Sequence, residues 1–245
     1  MMKMMKMTDI EIEEFRENFN KKLILLCESG SGTYGFKSET SDTDIRGVFI
    51  EDNSLVLGLR KPRNTIEGFS PDRMVDWQIF ELEKFLRLLI KPNFNIMEWV
   101  YTPYQYVDYP PIFMEIADLS LSQILGHHVR GWAYSIYKMN WNDPKKCIYA
   151  IRPLMVYINL CKTGEFESDI TKISNRFDLT DHVDTLIDLY RGNRKVSDMM
   201  RATNLRIYDD LVEESRKVEK DSLPERPRPG AFEKANEFLI MMRSI

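Results

Sequence analysis

Hydrophobic and polar positions change rhythm along this chain, from short strand-like runs to helical spacing. Residues 9–21 (DIEIEEFRENFNK) place acids first and Lys21 last, with Lys22 following, an order that suits a helix dipole and predicts a helix. LILLCESG (23–30) is a short apolar run closed by Ser29 and Gly30, the pattern of a buried strand. From Asp44 to Asp52 (DIRGVFIED), Ile45, Gly47 and Phe49 alternate with Asp44, Arg46, Val48 and Ile50, which predicts a second strand. Residues 53–72 hold Asn53, Gly58, Pro62, Asn64, Gly68 and Pro71 and predict a hairpin and loops. A strand-like run (MVDW, 74–77) then leads into Ile79, Leu82, Leu86 and Leu89 at helical spacing, with Phe85 and Leu88 beside them, until Lys91-Pro92-Asn93 stops the helix. Beyond Pro103 helices are predicted at roughly 112–138, 144–163, 180–191, 196–219 and 230–243, with an exposed Pro-rich linker (SLPERPRPG, 222–230) before the last. The expected fold class is therefore α/β (α+β in stricter usage): a small mixed sheet in residues 1–105 and a C-terminal helical bundle in 106–245, with a cleft between them.

Composition narrows the setting. The 245 residues are 43% hydrophobic and 29% charged, which places the chain in the ordinary soluble range with enough apolar material for a sizeable core. No apolar run approaches the roughly 20 residues that cross a bilayer, so no membrane partner is expected. Met1–Met7 carries lysines with no apolar stretch behind it, unlike a secretory signal. Cys27, Cys147 and Cys161 form no C-x-x-C pair; they suit free thiols in a reducing cytoplasm. The three histidines include the neighbours His127 and His128, whose side chains diverge by about 100° on a helix, and no His/Cys cluster has zinc spacing. The net charge of −4 excludes a broad basic track for nucleic acid and confines any such contact to a local patch. A nucleotide held through metal ions needs no global basic field, because the cations supply the positive charge.

The chemistry concentrates in Glu28–Gly47 (ESGSGTYGFKSETSDTDIRG). Gly30-Ser31 follows a buried strand at the start of a short helix, where free backbone N–H groups suit a triphosphate; a plain tight turn is the alternative. Asp42 and Asp44 stand at i and i+2 of an extended segment and so project to one face. Two bare carboxylates repel, and the pair makes sense around a hard divalent cation, although Ser-Asp-Thr-Asp is also good turn chemistry. Such a pair can hold two metals about 3.5–4 Å apart, one activating an attacking hydroxyl and one steadying leaving phosphates. Arg46 shares their face by alternation and can reach phosphate or neutralise the carboxylates. Tyr149 and Arg152, at i and i+3 of a helix with Lys145 a turn earlier, make either a nucleotide-facing stripe or a buried tie that uses the guanidinium.

Gly-Ser, a spacer of about ten residues and then Asp-x-Asp on a strand resembles the signature of the DNA polymerase β-like nucleotidyltransferase superfamily. The fuller string is similar to the predicted nucleotidyltransferases associated with RNA repair, matching at Glu28, Ser29, Gly30, Ser31, Tyr34, Gly35, Phe36, Ser41, Asp42, Asp44 and Arg46. It departs at Gly32, where the family commonly has Arg. The likeness continues through Asp76, Lys84, Lys91, Asn93, Glu98 and Trp99, with Phe94 in place of a usual proline. It extends to KKCIYAIRPL (145–154) at Lys145 or Lys146, Tyr149, Arg152 and Pro153.

The resemblance implies a polymerase β-like nucleotidyltransferase fold, with residues 1–105 as the catalytic domain. Asp42, Asp44 and Asp76 would be catalytic and metal-binding (Mg²⁺ or Mn²⁺), Asp76 lying near the attacking hydroxyl unless it merely caps the following helix. Gly30, Ser31, Tyr34, Ser41, Arg46, Lys146, Tyr149 and Arg152 would bind the nucleoside triphosphate. An RNA 3′ end or tRNA is the first expected acceptor. The competing expectations are a non-catalytic nucleotide- or RNA-binding module, with Gly32 and Phe94 as signs of drift, and a toxin-like transferase acting on tRNA or protein.

Overall fold

A computed structural model describes residues 9–59, 62–139 and 141–244. The N-terminal Met1–Met7 run considered above lies outside them. In chain order the elements begin with α1 (Asp9–Asn18), β1 (Lys22–Ser29), β2 (Thr43–Ile50), α2 (Asn53–Val56), β3 (Thr65–Phe69) and β4 (Val75–Glu81). Helices follow: α3 (Leu82–Leu89), α4 (Phe94–Tyr101), α5 (Ile112–Ser120), α6 (Gln123–Tyr137), α7 (Pro144–Thr163), α8 (Ile170–Ile173), α9 (Thr180–Arg191), α10 (Asp198–Ser222) and α11 (Ala231–Arg243).

The four strands form one mixed sheet in the order β1-β2-β4-β3. β1 pairs antiparallel with β2, β2 parallel with β4, and β4 antiparallel with β3. Alternation gives this sheet two different faces. One carries Leu26, Ile45, Phe49 and Ile79, packed with Ile12 and Phe15 of α1, Phe19 just beyond it, and Trp77. The other carries Val48 and Phe80 at one end, covered from the side of α3 and α4, where the Trp99 ring lies 4.9 Å from that of Phe80. Toward its other end this second face turns polar, with Asp44, Arg46, Asp76 and Gln78.

Local expectations are refined at several points. The helix foreseen from Ile79 begins only at Leu82, because Ile79 and Phe80 stay in β4, in parallel register with Gly47 and Val48. Glu81 supplies the N-cap, its carboxylate accepting from Glu83 N at 2.8 Å. After Pro92 the chain re-enters a helix at once, since the Asn93 side chain caps α4 by accepting from Asn95 N and Ile96 N. The single helix expected over 112–138 is two. The backbone at Ser122 is extended (φ −161°, ψ 171°), and the freed donors of α6 go to the linker: Gln123 N donates to Pro224 O at 2.9 Å and its side-chain amide to Leu223 O at 3.1 Å. Residues 65–69, expected within hairpin and loops, supply β3 as the outer arm of a hairpin with β4.

The chain divides into two compact units. The first takes residues up to Thr33, Thr40–Ser120 and the segment from Pro227 onward. In it α11 packs on α3 and α5, with Phe238 edge-on to Phe113 at 5.5 Å and Lys234 paired to Glu115 at 2.6 Å. Its Arg243 donates to the Glu51 carbonyl at 2.8 Å and binds the buried Glu81 carboxylate, clamping the far ends of β2 and β4. The second unit takes Tyr34–Glu39 and Leu121–Arg226. Its axis is α7, apolar almost all round and therefore buried, with α6, α9 and α10 packed against it. Glu219 of α10 is buried there, gripped by Arg130 at 2.7 and 3.1 Å and by the Tyr157 hydroxyl at 3.0 Å.

Candidate active site

The open end of the sheet gathers groups that lie far apart in sequence. β1 ends at Ser29, which stands opposite Asp44 of β2, and Asp44 stands beside Asp76 of β4. In-register neighbours project their side chains to the same face, so Asp44 and Asp76 point out together. The Arg46 guanidinium lies between them, donating to Asp44 Oδ1 at 2.6 Å and standing 3.8 Å from Asp76 Oδ1. It is anchored by bonds to the Ile45 carbonyl (2.8 Å) and the Asp76 carbonyl (3.4 Å). The Asp76 side chain is 47% exposed against 20% for Asp44. Asp76 is thus the more approachable carboxylate, and it sits within β4, well short of the Glu81 cap of α3.

Gly30 explains why this end is built with a glycine. Its φ is +75°, a left-handed conformation, and a Cβ placed on it would lie 1.9 Å from Asp44 Oδ2. The bare Cα lets the turn Gly30–Gly32 approach the carboxylate. Thr33 closes that turn, its N–H and hydroxyl both donating to the Gly30 carbonyl, at 3.1 and 3.0 Å. Ser31 and Ser41 are buried, and Asp42 is half-buried one residue before β2 begins. The Asp42 carboxylate forms no ion pair among the described residues. Behind the site, Cys27 is in register with Arg46; burial pushes its thiol well above the ordinary range, the Arg46 charge only partly opposing, so it stays neutral.

The remaining expected ligands form a cluster inside the second unit. Tyr34 is buried, with its ring meeting that of Tyr149 edge-on at 6.0 Å, and Phe36 meets Tyr149 at 5.7 Å. The Arg152 guanidinium is fully buried, 3.5 Å from the Tyr34 ring centre, and donates to the Ser168 carbonyl at 3.4 Å. Lys146 is half-buried in the first turn of α7, while its neighbour Lys145 lies 6.0 Å from the Tyr149 ring centre and 5.7 Å from that of Tyr190. Gly35 takes φ +86° against the Asp169 carboxylate, which a Cβ would approach to 2.0 Å. Tyr190 was not foreseen: it meets Phe36 edge-on at 5.9 Å, across a separation of 154 residues that leaves no local sequence signal. Glu28, part of the motif, is buried and accepts from the Tyr106 hydroxyl at 3.0 Å, a fixed structural contact.

Carboxylate oxygens are the hard donors that Mg²⁺ or Mn²⁺ prefers. Asp44 and Asp76 supply them on adjacent strands, and Gly30 keeps the space against Asp44 clear of a side chain. Among the described residues no three His, Cys, Asp or Glu side chains stand together as a metal-holding group. The fit therefore rests on the Asp44–Asp76 pair with Asp42 at the strand entrance.

A mixed sheet with paired carboxylates at one end, beside a glycine turn and followed by helices, has the architecture of a polymerase β-like nucleotidyltransferase fold. The comparison with protein families agrees: residues 4–241 match the RNA repair pathway DNA polymerase beta family, and the chain belongs to it. Among curated proteins it is similar to the uncharacterised protein MJ0002 of Methanocaldococcus jannaschii, 32% identical over 170 residues, 63% of this chain and 67% of that protein. It is also similar to the uncharacterised protein YcgL of Bacillus subtilis, 30% identical over 98 residues, 40% of this chain and 37% of that one. Among the described residues no helix is long and apolar enough to cross a membrane.

Proposed function

We propose that the chain transfers a nucleotidyl group from a nucleoside triphosphate to an acceptor hydroxyl, with an RNA 3′ end as the acceptor. The observation that carries this reading is the in-register pairing of Asp44 with Asp76, with the bare Gly30 turn against Asp44. Family membership supports it at the level of nucleotidyl transfer. Asp42, Asp44 and Asp76 would hold Mg²⁺ or Mn²⁺, which when bound neutralises phosphate charge and makes a hydroxyl more acidic.

The chain's own residues orient the rest. Backbone N–H groups of the Gly30–Ser31 turn hold phosphate oxygens, the role of an open turn with unpaired donors. Arg46, 2.6 Å from Asp44 and 3.8 Å from Asp76, offsets the repulsion between the two carboxylates and offers further donors to phosphate. Asp76, the more exposed carboxylate, accepts the proton of the acceptor hydroxyl. The freed oxygen attacks the α-phosphorus in line; its bond to phosphorus forms as the bond to the bridging oxygen breaks and pyrophosphate leaves with the electron pair. Most of the acceleration comes from positioning and charge compensation, as in phosphoryl transfer generally.

The test is transfer of label from each α-³²P-labelled nucleoside triphosphate, with Mg²⁺ or Mn²⁺, into total RNA and into the protein itself. RNA label that disappears in an Asp42→Ala/Asp44→Ala protein is the expected result. Label confined to the protein would replace RNA as the acceptor. Nucleotide binding with no transfer to any fraction would favour a binding module.

A further inference from the structure

The β3–β4 hairpin ends beside the candidate active site in a shape that the transfer reaction does not itself explain. Phe69, the last residue of β3, is the in-register partner of Asp76. It therefore projects to the same face as the carboxylates, one strand further out, on the edge of the sheet. The residue is 55% exposed. Over it lies the Arg73 guanidinium, 4.4 Å from the ring centre, and Met74 beside it is 43% exposed.

An exposed aromatic at a hairpin tip normally costs order, yet this tip is tightly held. Ser70 N donates to Val75 O (2.8 Å) and Arg73 N to Ser70 O (2.8 Å). The Ser70 hydroxyl donates to Asp72 Oδ1 at 2.5 Å and accepts from Val75 N at 3.0 Å, while Met74 N donates to the same Asp72 oxygen at 3.0 Å. The Asp72 carboxyl is held below its ordinary range, first by the Ser70 hydroxyl and then by Met74 N–H. Arg73 takes φ +60°, a conformation that disfavours side chains with a Cβ and that the surrounding bonds impose. The turn thus holds the backbone that sets a ring and a guanidinium side by side at the surface.

We propose that this Phe69–Arg73 tip is a stacking platform for the terminal base of a single-stranded RNA acceptor. The inference rests on the proposed nucleotidyl transfer and supplies what that reading lacks, the surface that presents the acceptor. Position argues for the acceptor over the incoming nucleotide. Strands lie about 4.8 Å apart, so the order Gly30 turn, Asp44, Asp76, Phe69 puts the phosphate-holding turn and the ring on opposite flanks of the carboxylates. A base seated on Phe69 places its sugar hydroxyl toward Asp76, the carboxylate assigned to deprotonate it. Chemistry argues for RNA with an unpaired end: aromatic faces and Arg planes read unstacked bases, and the guanidinium can also pair with a phosphate. A local platform also suits a chain of net charge −4, which has no broad basic field to offer a duplex.

The experiment is fluorescence anisotropy of a 5′-labelled single-stranded oligoribonucleotide, with a blunt-ended RNA duplex as comparison, on the full chain. Phe69→Ala is expected to weaken single-strand binding by between about 5- and 150-fold, the range of one lost base–aromatic stack. Phe69→Trp should retain affinity, and Arg73→Gln should weaken binding and flatten its salt dependence. Duplex binding should not change, and a 3′-terminal 4-thiouridine should crosslink to the hairpin. Unchanged single-strand affinity in Phe69→Ala, or an equal loss on the duplex, would overturn the platform. Nucleoside triphosphate affinity and Asp44-dependent labelling are measured on the same proteins. If these persist while the anisotropy result fails, only the platform falls; if Asp44-dependent labelling is absent, the transfer reading falls whatever the anisotropy shows.

Discussion

Replacing Gly30 by alanine tests the construction of the site with a single methyl group. The native φ of +75° would hold the substituted residue in the left-handed region, at about 1–2 kcal/mol. The new Cβ would also lie 1.9 Å from Asp44 Oδ2 and 2.7 Å from its Cγ, distances that no real contact tolerates. The Asp44 side chain must swing away and surrender its 2.6 Å bond to Arg46, a loss of similar size for a partly buried charged hydrogen bond. The sum is about 2–4 kcal/mol, a fall in Tm of roughly 4–16 °C for a chain of this length. Transfer activity should be lost below the unfolding temperature, because the displaced group is a proposed catalytic carboxylate. Gly131 is the control: a Cβ there meets nothing within 4 Å, so Gly131→Ala in α6 should stabilise by about 0.5–1 kcal/mol and leave transfer intact. Thermal melts by circular dichroism and label transfer at 25 °C read both arms. Equal stability and full activity in Gly30→Ala would refute the reasoning.

Two further outcomes follow from contacts outside the site. Arg243→Ala leaves the buried Glu81 carboxylate without its guanidinium and removes a donor from Glu51 O; urea unfolding should show a loss of about 3–5 kcal/mol, and a loss below 1 kcal/mol would contradict the clamp. Burial lowers the imidazole pKa of His128 from the ordinary 6.5, so the unfolded chain binds the proton more tightly than the folded one. The stability it contributes is full above pH 6.5 and is lost as pH falls through that value toward the folded pKa. His128→Gln should flatten the fall in Tm between pH 7.5 and 5.5, and an unchanged slope would contradict it.

Ser29-Gly30 and Asp44 were legible because local rules place them: an apolar run must end in a turn, and alternation sends Asp44 and Arg46 to one face. The partnership of Asp44 with Asp76 came only through the family resemblance, since parallel pairing across thirty-odd residues leaves no mark in either strand's own pattern. Ile79 misled for a related reason. It satisfies the two-residue period of β4 and, with Leu82 and Leu86, the helical period that follows, so periodicity alone could not place the boundary. Phe69 lay hidden between the turn formers Gly68 and Pro71, in a stretch legible as hairpin and loops whose alternating arms were short. The amphipathic pattern of α11 announced a helix and could not say that it would pack on α3 and α5, because a stripe specifies a buried face and not its partner.

The most direct measurement of the central claim is single-turnover label transfer to RNA by Asp44→Asn and Asp76→Asn proteins, with circular dichroism to check folding. Each change keeps the side-chain shape and removes the charge. Both proteins should remain folded and lose transfer by at least about a thousand-fold, the scale of removing a group that acts in the transition state. Transfer at the parental rate by either folded protein would contradict the assignment of this sheet end as the catalytic centre.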